Sequence, residues 1–206
     1  MMKTNIYELE DLEVVANTVR EGGFVAIKTD TVYGLAASSH DDDLYEKLQM
    51  VKERPADKPF PLMVSSLEQI EAVADVTELQ RHLMHTFMPG AVTFIFKRKP
   101  DVFQFLKDQD TLGIRMADDP WVQAMIAKVG NPIWLPSANR SGLPTATSSH
   151  MVLDQLDGKI DGVINGEISG GISSSVFDLT GDKIVCLREG IVTLEAVQKE
   201  AEQWKK

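Results

Sequence analysis

The chain has 206 residues, of which 43% are hydrophobic, and a formal net charge of -10; this length suits one large domain or two small ones with a substantial core. The negative charge argues against broad, sequence-independent nucleic-acid binding, which needs a positive surface to displace counterions, but it leaves room for a local basic cleft. No stretch approaches the roughly 20 apolar residues of a membrane helix.

The start, Met1-Met2-Lys3-Thr4-Asn5, lacks the apolar core of an export signal, so a cytoplasmic location is the default expectation. Leu9, Leu12, Val15, Ala16 and Val19 recur at helical spacing and predict an amphipathic helix over residues 7–21, stopped by Gly22-Gly23. Phe24-Val25-Ala26-Ile27 follows as a buried strand. Directly behind it stands Lys28-Thr29-Asp30-Thr31-Val32-Tyr33-Gly34-Leu35, rich in hydrogen-bonding groups. Ligands in open α/β sheets sit beyond the carboxyl ends of strands, so this exit is a candidate pocket floor, although an ordinary polar turn reads the same way.

Asp41-Asp42-Asp43 supplies a cap and negative charge for a helix whose Leu44, Leu48 and Val51 face inward. It ends at Lys52-Glu53-Arg54-Pro55-Ala56-Asp57-Lys58-Pro59, where prolines stop regular structure. Three cations on this stiff loop suit a polyanion such as a triphosphate, and a solvated charged loop is the plainer alternative.

Pro61 to Val64 reads as a second strand, residues 66–74 and 77–87 as helices, and Ala91 to Lys97 as a clear strand. Leu112-Gly113-Ile114-Arg115 is a shorter strand ending in arginine, followed by a helix from Pro120 to Lys128. Pro132-Ile133-Trp134-Leu135 exits into Pro136-Ser137-Ala138-Asn139-Arg140-Ser141-Gly142, a run that composition alone also explains as a turn. A helix over 148–157, a strand over 161–164, the small-residue run 169–175 and strands over 176–179 and 183–187 complete the sheet. A helix from Thr193 to Trp204 closes the pattern. The single cysteine, Cys186, reads as a small buried hydrophobe and excludes an intramolecular disulfide or a multi-cysteine metal site.

Strands and helices alternate without a composition break, which predicts one α/β domain over 1–206. There is no Walker loop, GxGxxG or HExxH motif, and His40, His82, His85 and His150 share no metal-ligand spacing.

The ordered set Thr-Asp-Thr-Val-Tyr-Gly-Leu (29–35), Lys-Glu-Arg-Pro (52–55), Pro-Gly-x-x-Thr (89–93), Gly-Ile-Arg (113–115), Ser-Ala-Asn-x-Ser-Gly (137–142), Ser-Ser-Val-x-Asp (174–178) and Arg-Glu-Gly (188–190) resembles the YrdC family. Its best-known members are threonylcarbamoyl-AMP synthases. The resemblance implies a twisted mixed β-sheet flanked by helices, with a concave substrate cleft, in the short single-domain form. It implies a nucleotidyltransferase that converts L-threonine, bicarbonate and ATP, the last with Mg²⁺, into threonylcarbamoyl-adenylate and pyrophosphate. That product serves tRNA modification beside the anticodon, so partner proteins of that pathway are implied, while the net charge of -10 points to weak or no direct nucleic-acid binding.

By the same resemblance Thr31, Tyr33, Arg115 and Ser174 bind L-threonine, with Arg115 on its carboxylate. Lys52, Arg54 and Lys58 meet the nucleotide phosphates, Lys52 and Arg54 as the catalytic pair, and Thr111, Ser137, Asn139, Thr145 and Arg188 complete the nucleotide side. No protein-held metal is implied. The chain departs from the pattern at Lys28, where most relatives carry proline, and at Met63, where many synthases carry a histidine near the substrate. Its late loop reads Ser173-Ser174-Ser175 rather than Glu-Ser-Thr. The run Lys58-Pro59-Phe60-Pro61-Leu62-Met63 is similar to YciO-like paralogues, which keep adenylate chemistry open to another amine. An RNA-binding module is the alternative from a different class, with steep salt dependence as its signature.

Overall fold

The computed structural model describes residues 3–55, 58–169 and 171–204. Ala56, Asp57 and Gly170, which belong to the charged loop and the small-residue run singled out above, lie outside them. The strands are β1 (Asn5–Tyr7), β2 (Val25–Ile27), β3 (Gly34–Ser38), β4 (Leu62–Met63), β5 (Ala74–Asp75), β6 (Val92–Arg98), β7 (Thr111–Arg115), β8 (Ile133–Trp134), β9 (Gly162–Ile164), β10 (Ser175–Asp178) and β11 (Val185–Arg188). The helices are α1 (Leu12–Arg20), α2 (Asp42–Lys52), α3 (Leu67–Val73), α4 (Glu78–Phe87), α5 (Pro120–Val129), α6 (Ser149–Leu156) and α7 (Leu194–Trp204).

The strands form one mixed sheet in the order β1-β9-β2-β3-β8-β4-β7-β6-β10-β11, with β5 also paired to β6. The pairs β1/β9, β2/β9, β4/β7 and β6/β10 are parallel, and pairs such as β2/β3, β3/β8 and β6/β7 are antiparallel. A sheet of this width carries the right-handed twist common to all sheets.

Apolar side chains cover both faces. On one, Val15, Ala16 and Val19 of α1 pack with Val122, Met125 and Ile126 of α5 over Val25, Ile27 and Ile133. On the other, a larger cluster joins Leu44 and Leu48 of α2, Ile70 of α3, Leu83 and Met84 of α4 and Val197 of α7 to Phe94, Phe96 and Phe177. Burial on both faces explains why β2, β3 and β9 are wholly enclosed. Local chemistry sets the helix ends. The Asp41 carboxylate accepts from the Asp43 amide at 3.0 Å, Asp119 accepts from Trp121 and Val122, and Gly130 closes α5 with a φ of 91°.

Three elements differ from the sequence-based expectation. Residues 5–7 pair with β9, and the first helix begins only at Leu12, after a 3-10 turn over Leu9–Asp11. The polar stretch after Ile27 is the loop of a hairpin, because Gly34–Ser38 returns antiparallel to β2 with Leu35 opposite Ala26. Ala74–Asp75 adds a short strand to β6. In addition, β11 lies at the sheet edge, so Val185 and Leu187 are 50% and 60% exposed and Cys186 is only partly buried. Among the described residues no helix is long and apolar enough to cross a membrane.

Candidate functional site

The parallel pairs β4/β7 and β6/β10 run in opposite directions, since β6 is antiparallel to β7. The ends of β4 and β7 therefore lie beside the starts of β6 and β10, and the hairpin loop after β2 and the loop leaving β8 complete the surround. Together they enclose a cavity of about 440 Å³. Its floor comes from alternate residues of the sheet: Thr93 and Ile95 of β6, Thr111, Gly113 and Arg115 of β7 and Val176 of β10. Period-two alternation puts such residues on one face, while their neighbours Phe94, Ile114 and Phe177 enter the core.

Arg115 ends β7 opposite Met63 of β4, and both line the cavity. Its side chain is 6% exposed, and each of its three nitrogens donates one bond to the protein. Nε donates to the Gly90 carbonyl at 2.9 Å, Nη1 to Thr31 Oγ1 at 2.7 Å and Nη2 to Asp30 Oδ1 at 2.5 Å. Burial pushes its pKa below the ordinary arginine value, and the Asp30 carboxylate acts in the opposite direction. A second contact chain starts at Thr93, whose hydroxyl meets Ser174 Oγ at 3.0 Å. Arg188 then donates to the Ser174 carbonyl at 2.8 Å and to its hydroxyl at 3.2 Å. Gly190 supports this corner: a Cβ there would run into the Ser173 carbonyl oxygen and the backbone of Ser174 and Ser175.

Arg54 and Lys58 line the cavity from the loop after α2. Arg54 gives that loop its shape by donating to the Lys58 and Pro59 carbonyls, each at 2.9 Å, and by lying 5.2 Å from the Phe60 ring centroid. Ser137 and Thr145 line the opposite wall. Of the site residues proposed from sequence, Thr31, Arg54, Lys58, Thr111, Ser137, Thr145, Arg115, Ser174 and Arg188 therefore share one cavity.

Lys52, Tyr33 and Asn139 do not line it, contrary to expectation. Lys52 is buried in the last turn of α2, and its amine donates to the carbonyls of Ser137 and Asn139, so it braces the wall from behind. Desolvation lowers its pKa from 10.5 to about 7, helped by the nearby positive charge of Arg54. The Tyr33 hydroxyl lies 2.9 Å from the carbonyls of Ile164 and Gly166 in the core beneath the hairpin, and burial raises its pKa to about 12. Asn139 turns its amide to the carbonyls of Arg140 and Leu143 and accepts from the Ser137 hydroxyl, which shapes the loop. The sequence assigns no role to Asp30, Thr93 or Gln109, although Asp30 and Thr93 stand inside the motifs that carry the resemblance, and Met63 is marked there only as the departure from the family histidine.

Among the described residues no carboxylate lines the cavity, and no group of three or more His, Cys, Asp or Glu is placed to hold a metal. The arrangement can bind anions: a carboxylate at Arg115, and a larger polyanion at Arg54, Lys58 and Arg188.

Comparison with known proteins matches this chain over residues 17–190 to the Sua5, YciO and YrdC family model, described as telomere recombination. The threonylcarbamoyl-AMP synthase of Bacillus subtilis is 37% identical over 187 residues, covering 89% of this chain and 54% of that protein. The chain spans about half the length of such curated relatives. Among solved structures, P. abyssi Sua5 complexed with L-threonine superposes with a TM-score of 0.88 and 34% identity, covering 97% of this chain and 60% of that one. E. coli YciO superposes with a TM-score of 0.85 and 26% identity, covering 96% of this chain and all of that one. With the family model covering most of its length and the fold reproduced throughout, the chain belongs to the Sua5/YciO/YrdC family.

Proposed function

We propose that this chain works as one domain, residues 1–206, and is a threonylcarbamoyl-AMP synthase. The observation that carries the reading is the joining, in one 440 Å³ cavity, of a buried arginine beside hydroxyls with a separate set of cations. The likeness to the L-threonine complex of P. abyssi Sua5 supports it.

In this reading Arg115 grips the L-threonine carboxylate, with Thr31, Thr93 and Ser174 around the amino-acid end. The free amine adds to the carbon of bicarbonate and water leaves, giving a carbamate. A carbamate oxygen then attacks the α-phosphorus of ATP, and pyrophosphate departs with the electrons of the broken P–O bond. No protein nucleophile is needed. The chain's work is to bring two anions together and to balance charge spreading over the phosphates through Arg54, Lys58 and Arg188. Mg²⁺ would enter with the nucleotide substrate, held by its phosphates, as the described residues of the lining offer no carboxylate. Lys52 supports the Ser137–Asn139 wall in this scheme, and its catalytic role is indirect. The adenylate would pass to the tRNA-modification machinery of the cytoplasm.

A second reading, a YciO-like enzyme using another amine, is favoured by Met63, which lines the cavity in register with Arg115. Pyrophosphate release from ATP, MgCl₂ and bicarbonate, with L-threonine against a panel of amines, separates the two. Threonine-dependent release supports the synthase; release with another amine alone supports the second reading.

A further inference from the structure

Arg115 is the deepest cation of the cavity, and the carboxylate that meets it stands just outside the lining. Asp30 Oδ1 lies 2.5 Å from Arg115 Nη2, and Asp30 is itself fixed, because its other oxygen accepts the Asp118 amide at 3.2 Å. Asp118 immediately precedes Asp119, the cap of α5, so the bracket is tied to a helix start. Among the described residues Asp30 is the only carboxylate in ion-pair range of Arg115.

Two consequences follow from this geometry. A guanidinium has five N–H groups, and Gly90, Thr31 and Asp30 take one on each nitrogen. One N–H on each terminal nitrogen remains, which suits a single bidentate carboxylate. The pair is also neutral overall, so Arg115 presents directed donors without a net positive charge. The bonds of Arg188 go instead to the uncharged carbonyl and hydroxyl of Ser174, which leaves its charge for a polyanion.

We propose that Asp30 is a positioning and specificity residue: it sets the orientation of Arg115 and cancels its charge, so that this arginine takes a monocarboxylate and not a phosphate group. The proposal rests on the synthase reading for its substrate, but the Asp30–Arg115 pairing can be tested without it.

The test is two-substrate kinetics, with L-threonine and ATP varied together, for the natural protein, Asp30→Asn and Asp30→Glu. In Asp30→Asn the KM for L-threonine is expected to rise about tenfold or more and that for ATP by less than about threefold. ATP is also expected to become a competitive inhibitor against threonine, because an uncancelled arginine attracts its phosphates. Asp30→Glu should recover part of the threonine KM. Equal changes in both KM values, or no change in either, would overturn the proposal.

If the natural protein shows no threonine turnover, the synthase reading fails and the pairing is read by NMR. The Arg115 Nε–H signal, identified by its loss in Arg115→Lys, should shift and exchange faster in Asp30→Asn and return towards its original position in Asp30→Glu. An unmoved signal would overturn the positioning role. If Asp30→Asn does not fold, Asp30→Glu carries the same comparison, with a threonine KM and a signal both displaced from those of the natural protein or, against the proposal, both unchanged.

Discussion

The amine of Lys52 donates to the carbonyl oxygen of Asn139 at 2.5 Å, and no carboxylate among the described residues forms an ion pair with it. The folded chain releases this proton near pH 7, whereas an unfolded lysine holds it to about 10.5. Between those values the unfolded state binds more protons, so stability rises with pH; below about 7 the full cost of the buried charge is present. Relative to Lys52→Met, the natural protein should gain about 1.4 kcal/mol per pH unit. Urea unfolding at pH 7, 8 and 9 checks this, and parallel trends for the two proteins would contradict it.

The Thr93–Ser174 hydroxyl pair should behave as a coupled unit. Thr93→Val and Ser174→Ala each remove one end of the 3.0 Å contact, and each should cost about 1 kcal/mol. The double variant should cost less than the sum by about 0.5 kcal/mol or more. Strict additivity in denaturant unfolding would show that the contact contributes nothing. Ser174→Ala alone should also raise the threonine KM, since its hydroxyl stands in the cavity at the end proposed for the amino acid.

Gly190→Ala is expected to damage the site by moving backbone. The added Cβ collides with main-chain atoms of Ser173 to Ser175, which cannot rotate away as a side chain would. Pyrophosphate release should fall by up to about a hundredfold, in line with a displacement of about 1 Å at a positioned group. Gly181→Ala is the control, because a Cβ there meets nothing within 4 Å.

The last helix is pinned by His82 of α4, whose ring stacks on Trp204 at 4.8 Å and whose Nε2 lies 2.7 Å from Glu200 Oε1. Trp204→Ala should remove about 1 kcal/mol and lower Tm by about 2–4 °C. No α7 residue lines the cavity, so the KM values should not move. Differential scanning calorimetry together with steady-state kinetics checks both halves.

The strands rich in branched and aromatic residues, such as 92–98, and the helices with capping acids could be read from the sequence, because their signals are local. Asn5–Tyr7 could not: three residues carry no period, and their pairing with Gly162 to Ile164 is set by distant chain. Gly34–Ser38 is built from small residues and follows a polar run, so its return as a hairpin strand was hidden. At the site, the motif order marked which segments meet but not which way each side chain turns. Tyr33 and Thr31 sit two apart in one hairpin loop, yet one enters the core and the other the cavity. Asp30 stood inside the most conspicuous stretch of the chain, but its role needs Arg115, 85 positions away.

The strand order carries a consequence for synthesis on the ribosome. β1 and β2 are made early, but β9, which joins them, ends only at Ile164. The cavity itself draws on Thr31 and on Arg188, near the opposite ends of the chain. Loops of that span are slow to close, since their entropy is lost before the contacts repay it. A nascent chain therefore cannot assemble the anion site piecemeal: binding competence should arrive in one late step, after Arg188 has cleared the exit tunnel, and chains arrested earlier should hold no functional remnant.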